Sequence, residues 1–392
     1  MNPRLLLLTL CQGFFLTNNV TFIAINGLVG LSLAPSAWMA TLPVTGYVAG
    51  GALCAGLVGR HQRRWGRKRA FQAGLVVAML SSALCAYAAF SHQFWLLVGA
   101  TLLAGYYNAN AGLYRFAAAE LVAPAFKERA ISWVLAGGII GAVAGPNLAS
   151  ATRDALPVAF AGAYAALVGV ALLSLVTISF IRFPPLPVPS ASRPGRPLRE
   201  IAAQPVFVVA VAACALGYGV MNLLMAATPI AMAQCAHPFS AAALVLEWHV
   251  LGMFVPSFFT GSLIRRFGCL PIMAIGVVLN AVCIAIALSG VEVMRFGLAL
   301  TALGIGWNFL FIGGTTLFTE AYRPEERTTA QAAMDTVIFT TMTLTSFSSG
   351  ALVTTQGWTW LNFGSTVPVV LTAAALGWLA LHRRRARRAV TA

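Results

Sequence analysis

TLLAGYYNANAGLYRFAAAELVAP (residues 101–124) and TALGIGWNFLFIGGTTLFTEAYRP (residues 301–324) are one segment written twice. Thr101, Leu103, Asn108, Glu120 and Pro124 return as Thr301, Leu303, Asn308, Glu320 and Pro324, each 200 positions later. Further upstream, Gly59 and Gly66 return as Gly261 and Gly268. The chain therefore reads as two copies of one unit in the same orientation, expected over residues 1–182 and 205–392. A polar, proline-rich linker at 183–204 joins them.

The medium in which this unit folds is set by composition. The 392 residues are 59% hydrophobic and 9% charged, against roughly 25% charged residues in soluble domains, and the mean hydropathy is +0.83. About 20 apolar residues cross a bilayer as a helix. On that measure twelve spans are expected, near 5–31, 38–58, 70–90, 94–117, 131–151, 157–181, 205–230, 240–263, 271–290, 295–318, 331–354 and 359–381. The fold class is all-α: a membrane protein of twelve transmembrane helices in two pseudo-symmetric six-helix bundles. Parallel repeats of this kind place a substrate site between the halves, near mid-membrane.

A net charge of +15 would point to nucleic acid in a soluble chain. Placed on this topology it becomes an orientation signal. Of the 25 Lys and Arg, all but Arg153 and Arg295 fall on one side, so both termini are expected in the cytoplasm of a bacterial inner membrane, as the positive-inside bias requires. The tail from His382 to Arg388 reads as an anchor after the last helix. The first apolar segment lacks a small-residue cleavage site and is expected to be retained. The expected partner is the lipid bilayer, with no nucleic acid, and the chain is expected to act as a monomer.

Seven cysteines without a CxxC give no disulfide framework. Cys11, Cys54, Cys85, Cys214 and Cys283 fall inside expected spans, where a buried thiol usually serves as a small apolar group. Cys235 differs, because it falls in an exterior loop beside other potential ligands. Met221 and Met225 stand four apart before it, and His249 and Met253 stand four apart after it. Residues i and i+4 share a helix face, so each pair can present two donors. Thioether, thiol and imidazole suit copper, and the sulfur ligands favour Cu(I). The donors form a column across the membrane, with Cys235, Met232 and His237 at its mouth. Packing is the competing explanation for each methionine, and a hydrogen bond across helices is the one for His249.

The stretch Gly59-Arg60-His61-Gln62-Arg63-Arg64-Trp65-Gly66-Arg67-Lys68 resembles the loop signature of the major facilitator superfamily, although Arg63 stands where that family usually carries an acid. Gly137, Gly138, Gly141, Gly145 and Pro146 resemble the glycine–proline motif of its fifth helix, which small-residue helix packing also explains. Within the superfamily, the Met221/Met225 and His249/Met253 pairs are similar to those of the CcoA-type copper importers. That resemblance implies copper as transported substrate rather than cofactor, delivery to a cytoplasmic acceptor for haem-copper oxidase assembly, and Cys214 as an accessory thiol. Relatives without these pairs are associated with other cargo, riboflavin among them. A carrier of a small organic solute is therefore one alternative, and a non-transporting copper chaperone is another.

Ionisable groups inside a span are costly and mark pathways or structural partners. Glu247 and Asp335 are candidates for proton coupling. Arg115 with Glu120, and Glu320 with Arg323 or Arg327, are candidate gating pairs. Asn18, Asn19, Asn108, Asn110, Asn222 and Asn308 are candidate cavity-lining groups. No GxxxxGK[ST] phosphate loop and no ordered catalytic triad are present, so no enzymatic activity is expected.

Overall fold

The computed structural model describes residues 3–123, 126–184 and 195–391, and among these it is helical throughout, with no strand. Pro124 of the sequence repeat, most of the linker and the side chains of the tail beyond Arg385 lie outside the described residues. The N-terminal half contains α1 (Pro3–Leu33), α2 (Leu42–Phe90), α3 (Phe94–Ala111), α4 (Tyr114–Glu120), α5 (Lys127–Ala136), α6 (Gly138–Thr152) and α7 (Ala161–Ser179). After the short α8 (Leu198–Ala202) come α9 (Pro205–Gln234), α10 (Phe239–Phe254), α11 (Ser257–Phe267), α12 (Cys269–Leu288), α13 (Val293–Phe318), α14 (Arg327–Thr355) and α15 (Gly357–Thr391).

Nine of the described helices are long and apolar enough to cross a bilayer, or ten when α10 and α11 count as one bent span. The remaining two of the twelve expected spans are explained by local sequence. At about 1.5 Å per residue, the 49 residues of α2 would reach some 70 Å, twice the bilayer's hydrocarbon thickness. They are in fact two helices that meet at Gly66, whose φ of 76° and ψ of 167° are not helical. The other missing span is α3 continued by α4, where Tyr106, Tyr107, Asn108 and Asn110 dilute the apolar run.

Gly268, which separates α11 from α12, has a φ of 88° and a ψ of 163°. It reproduces Gly66 in the second half, so the repeat read from the sequence is also a repeat of backbone conformation. Close packing repeats as well. In the first half a Cβ on Gly50 or Gly105 would run into the backbone of α3 or α2 respectively, and in the second half a Cβ on Gly304 would run into the His249 carbonyl.

Two faces follow from the element order. The terminal face carries both chain ends, Gly66 and Gly268. The far face carries the turns at residues 34–41, 153–160 and 235–238. The halves meet along α1 with α9, α6 with α10, and α2 with α14.

Candidate functional site

At the seam between the halves, Met221, Met225 and Met253 are buried in one apolar cluster with Phe15, Leu16, Val20 and Tyr107 of the N-terminal half. Met232 behaves differently. The sequence reading put it in a loop, but it lies inside α9, fully buried within the core of the C-terminal half, so it lines no entrance. Cys235 caps the C-terminal end of α9 and is half-buried. The His237 ring is bonded through Nε2 to the Val291 carbonyl at 2.7 Å.

His249 is fully buried, and its Nδ1 sits 2.7 Å from the Leu300 carbonyl of α13. A carbonyl can only accept, so Nδ1 carries the proton and Nε2 is left with a lone pair. That Nε2 is buried without a hydrogen-bond partner. Cys214 is equally buried, with Sγ directed at the Phe311 carbonyl, and it packs within the C-terminal half.

The sequence-predicted ion pairs are rearranged. Arg115 and Glu120 do not pair: Glu120 takes a bidentate contact from Arg67, with Nη2 at 2.6 Å and Nε at 3.0 Å. Five residues on a helix amount to about 140° of rotation, which turns Arg115 and Glu120 to different sides. Glu320 pairs with Arg383 of α15 at 2.6 Å rather than with Arg323 or Arg327. Arg67 also reaches Gln62, which donates to Asn110 at 2.7 Å. A latch thus survives at the first glycine loop without the missing acid, and it stays within one half.

The asparagines divide by role. Asn308 donates to the Met253 carbonyl and to Ser257 Oγ, both at 2.7 Å, and accepts from Thr260 at 2.7 Å. It secures the 41° bend between α10 and α11 at Pro256, which has no N–H to offer the helix, and so is not available to line a cavity. Asn222 donates to the Met342 carbonyl at 2.9 Å. Asn19 donates to the Tyr47 hydroxyl at 3.1 Å, and the half-buried Asn108 lies beside Gly51. Asn18 is buried with both side-chain polar atoms unpartnered.

Toward the far face, side-chain hydrogen bonds cross between the halves. Thr41 donates to the Ser346 carbonyl and accepts from Gly350 N–H, Thr45 reaches Ser346 Oγ, and Asn147 donates to Glu247 at 2.9 Å. Trp38 and Phe347 close edge to face there, as do Phe160 and Phe239. Toward the terminal face the halves present charges instead. Arg115 of α4 lies close enough to Asp335 of α14 and Tyr218 of α9 for their charges to interact. Asp335 shares a stripe of α14 with Ser346 and Gly350, 11 and 15 residues on. Its side therefore faces the N-terminal half, and it remains exposed. The crossing contacts seal the far face.

Sequence reasoning missed an aromatic cluster at the seam. Trp307 and Phe311 stack on α13 at 5.1 Å and 9°, and Tyr218 meets both edge-on at 4.9 and 5.1 Å. The i, i+4 spacing of Trp307 and Phe311 was legible, but their meeting with Tyr218 belongs to tertiary structure.

Two parallel half-chains that meet along one seam are the architecture of a carrier. A sequence profile of the Major Facilitator Superfamily matches residues 5–246 and 216–392. The chain belongs to that superfamily. It is similar to the riboflavin transporter RfnT of Brucella anthropi, 40% identical over 363 residues that cover 92% of this chain and 91% of that one. It is also 26% identical to the uncharacterized transporter YddS of Bacillus subtilis, over 91% of this chain and 86% of YddS. Two solved superfamily-like structures share the fold. One is a bacterial homologue of the lysosomal transporter Spinster in an inward-facing, unoccupied conformation, with a TM-score of 0.69, 14% identity and 95% of each chain covered. The other is a bacterial homologue of the iron transporter ferroportin in an outward-facing state, with a TM-score of 0.64, 17% identity and coverage of 95% of this chain and 98% of that one. The superfamily is one of multi-pass membrane transporters. The copper-importer subfamily expected from the methionine pairs is not among these relatives.

Proposed function

We propose that this major facilitator protein carries a flavin, riboflavin or a close analogue, across a bacterial inner membrane by alternating access. The observation that carries the reading is the 40% identity to the RfnT riboflavin transporter along nearly the full length of both chains. The lysine and arginine bias supports a cytoplasmic terminal face, and on this reading a sealed far face belongs to the stage at which imported cargo is released. Proton coupling through Asp335 or Glu247 belongs to the same reading. Uptake of radiolabelled riboflavin by a flavin-auxotrophic bacterium expressing this chain tests it: accumulation above the empty-vector strain is expected, and none would overturn it.

Copper import is the second reading. The unpartnered Nε2 of buried His249 favours it, because metal-binding histidines commonly fix their other nitrogen on a carbonyl, as His249 does on Leu300. Met221, Met225 and Met253 on the same seam would supply the sulfur ligands, with Cys235 and Cys214 as accessory thiols. Copper analysis of the purified protein separates the two readings. Stoichiometric copper that disappears when Met221 and Met225 become Leu would support import of the metal.

A further inference from the structure

The aromatic cluster at the seam between the halves has the features of a receptor for a flat ring. Tyr218 and Phe311 are each half-buried, while Trp307 beneath them is 5% exposed. Two N–H donors at this place are buried and unpartnered: the Trp307 indole Nε1 and Arg115 Nε. A buried donor without an acceptor is costly unless something completes it, and here the group that could do so would have to offer acceptors in the plane of a ring. Arg115 from one half and Asp335 from the other bring one positive and one negative charge near the cluster.

Resting on the flavin reading, we infer that Tyr218 and Phe311 form the aromatic walls for the tricyclic ring of an uncharged flavin, with Trp307, beneath them, and Arg115 donating to its ring carbonyls and Asp335 excluding its phosphate ester. An isoalloxazine ring brings an extended π-face and two carbonyl oxygens on one edge, which match aromatic walls and two in-plane donors. The 5′-phosphate ester carries nearly two negative charges at neutral pH. Arg115 would attract them, but Asp335 cancels that attraction. The site thus selects ring over tail, and neutral over phosphorylated cargo.

Quenching of flavin fluorescence by the purified protein tests the site separately from uptake. Wild-type protein is expected to quench riboflavin and lumichrome, which has the ring without the ribityl tail, and to bind flavin mononucleotide at least tenfold more weakly. Trp307→Leu and Phe311→Leu should each weaken riboflavin at least tenfold, and Trp307→Phe, which keeps a ring but loses the N–H, should not recover the affinity that Phe311→Tyr, which keeps the ring face, retains. Asp335→Asn should raise the affinity for the mononucleotide relative to riboflavin several-fold, a change that general loosening of the fold would not produce. Riboflavin uptake together with undiminished quenching in the folded Trp307 and Phe311 variants would overturn the site and leave the transport reading standing. Equal affinity of wild type for both flavins would overturn the charge argument. Neither uptake nor quenching by wild type would overturn the site together with the reading on which it rests.

Discussion

The hydroxyl of Thr41 joins the two halves by itself: it donates to the Ser346 carbonyl at 2.7 Å and accepts from the Gly350 N–H at 3.0 Å. One side chain of the N-terminal half thereby satisfies two backbone groups of α14. The contact forms only when the far face is shut, and it occupies the same stripe of α14 that carries Asp335 nearer the terminal face. The stripe thus joins a closed seam at one end to an exposed carboxylate at the other.

Gly350 is the residue that allows this closure, since a Cβ there would collide with Thr41 Oγ1. Gly350→Ala is expected to penalise the closed far face by about 1–3 kcal/mol of overpacking, enough to enlarge the far-face-open population roughly fivefold or more. In a cysteine-free background carrying Thr45→Cys, a membrane-impermeant thiol reagent added at the far face should label faster once Gly350→Ala is introduced. An unchanged labelling rate would mean that the seam closes without this contact.

Glu326 precedes α14 and takes two guanidinium contacts from Arg196, at 2.8 and 2.7 Å, with the backbone N–H groups of Arg196 and Arg323 at 2.9 Å. The end of the linker is thereby tied to the C-terminal half. The Arg196 side chain first, and then the Arg323 amide, hold the Glu326 carboxyl well below the usual carboxylate range. A depressed folded-state value means that the stabilisation is complete above the unfolded carboxylate value of about 4.3 and is lost as the pH falls toward the folded one. Thermal stability in detergent should therefore fall below about pH 4, and Glu326→Gln should be less stable at neutral pH with a shallower acid decline. Parallel curves for the two proteins would show that the clamp contributes nothing.

Asn308 offers a test of the bend between α10 and α11. Leucine at this position fills the space but leaves the Met253 carbonyl without its side-chain donor, at a cost of about 1–3 kcal/mol, while Thr260 keeps the Pro256 carbonyl. Asn308→Leu is expected to lower the melting temperature, and Asn308→Asp to lower it further, because a carboxylate cannot donate to the Met253 carbonyl. A melting temperature equal to wild type in Asn308→Leu would show that Pro256 alone sets the bend.

The fold was legible because a bilayer tolerates few solutions. Apolar runs, the 200-residue recurrence of Asn108 and Glu120, and the glycines at 66 and 268 each mark a helix end or a repeat without reference to any partner. The site was less legible, since its members meet only in three dimensions. Tyr218 and Trp307 belong to different helices, and Glu120 takes its partner from Arg67 instead of its neighbour Arg115. Isolated polar residues were the least readable. Asn308, a candidate lining group by sequence, serves a helix break whose carbonyl no residue count could place beside it.

Gly66 and Gly268 put the repeat itself to a quantitative test. Both lie at positive φ with ψ near 165°, a region that is essentially glycine's alone, where another residue costs of order 1–3 kcal/mol. Crowding is not the issue: nothing stands within 4 Å of a Cβ at Gly66, and at Gly268 only the Pro271 ring approaches, at 3.8 Å. Gly66→Ala and Gly268→Ala should therefore destabilise by similar amounts despite the open space, and the double variant by about their sum, because they lie in separate halves with no shared partner. Thermal unfolding in detergent measures all three proteins under the same conditions. If either alanine is neutral, that loop has another conformation available and the two halves do not share this turn.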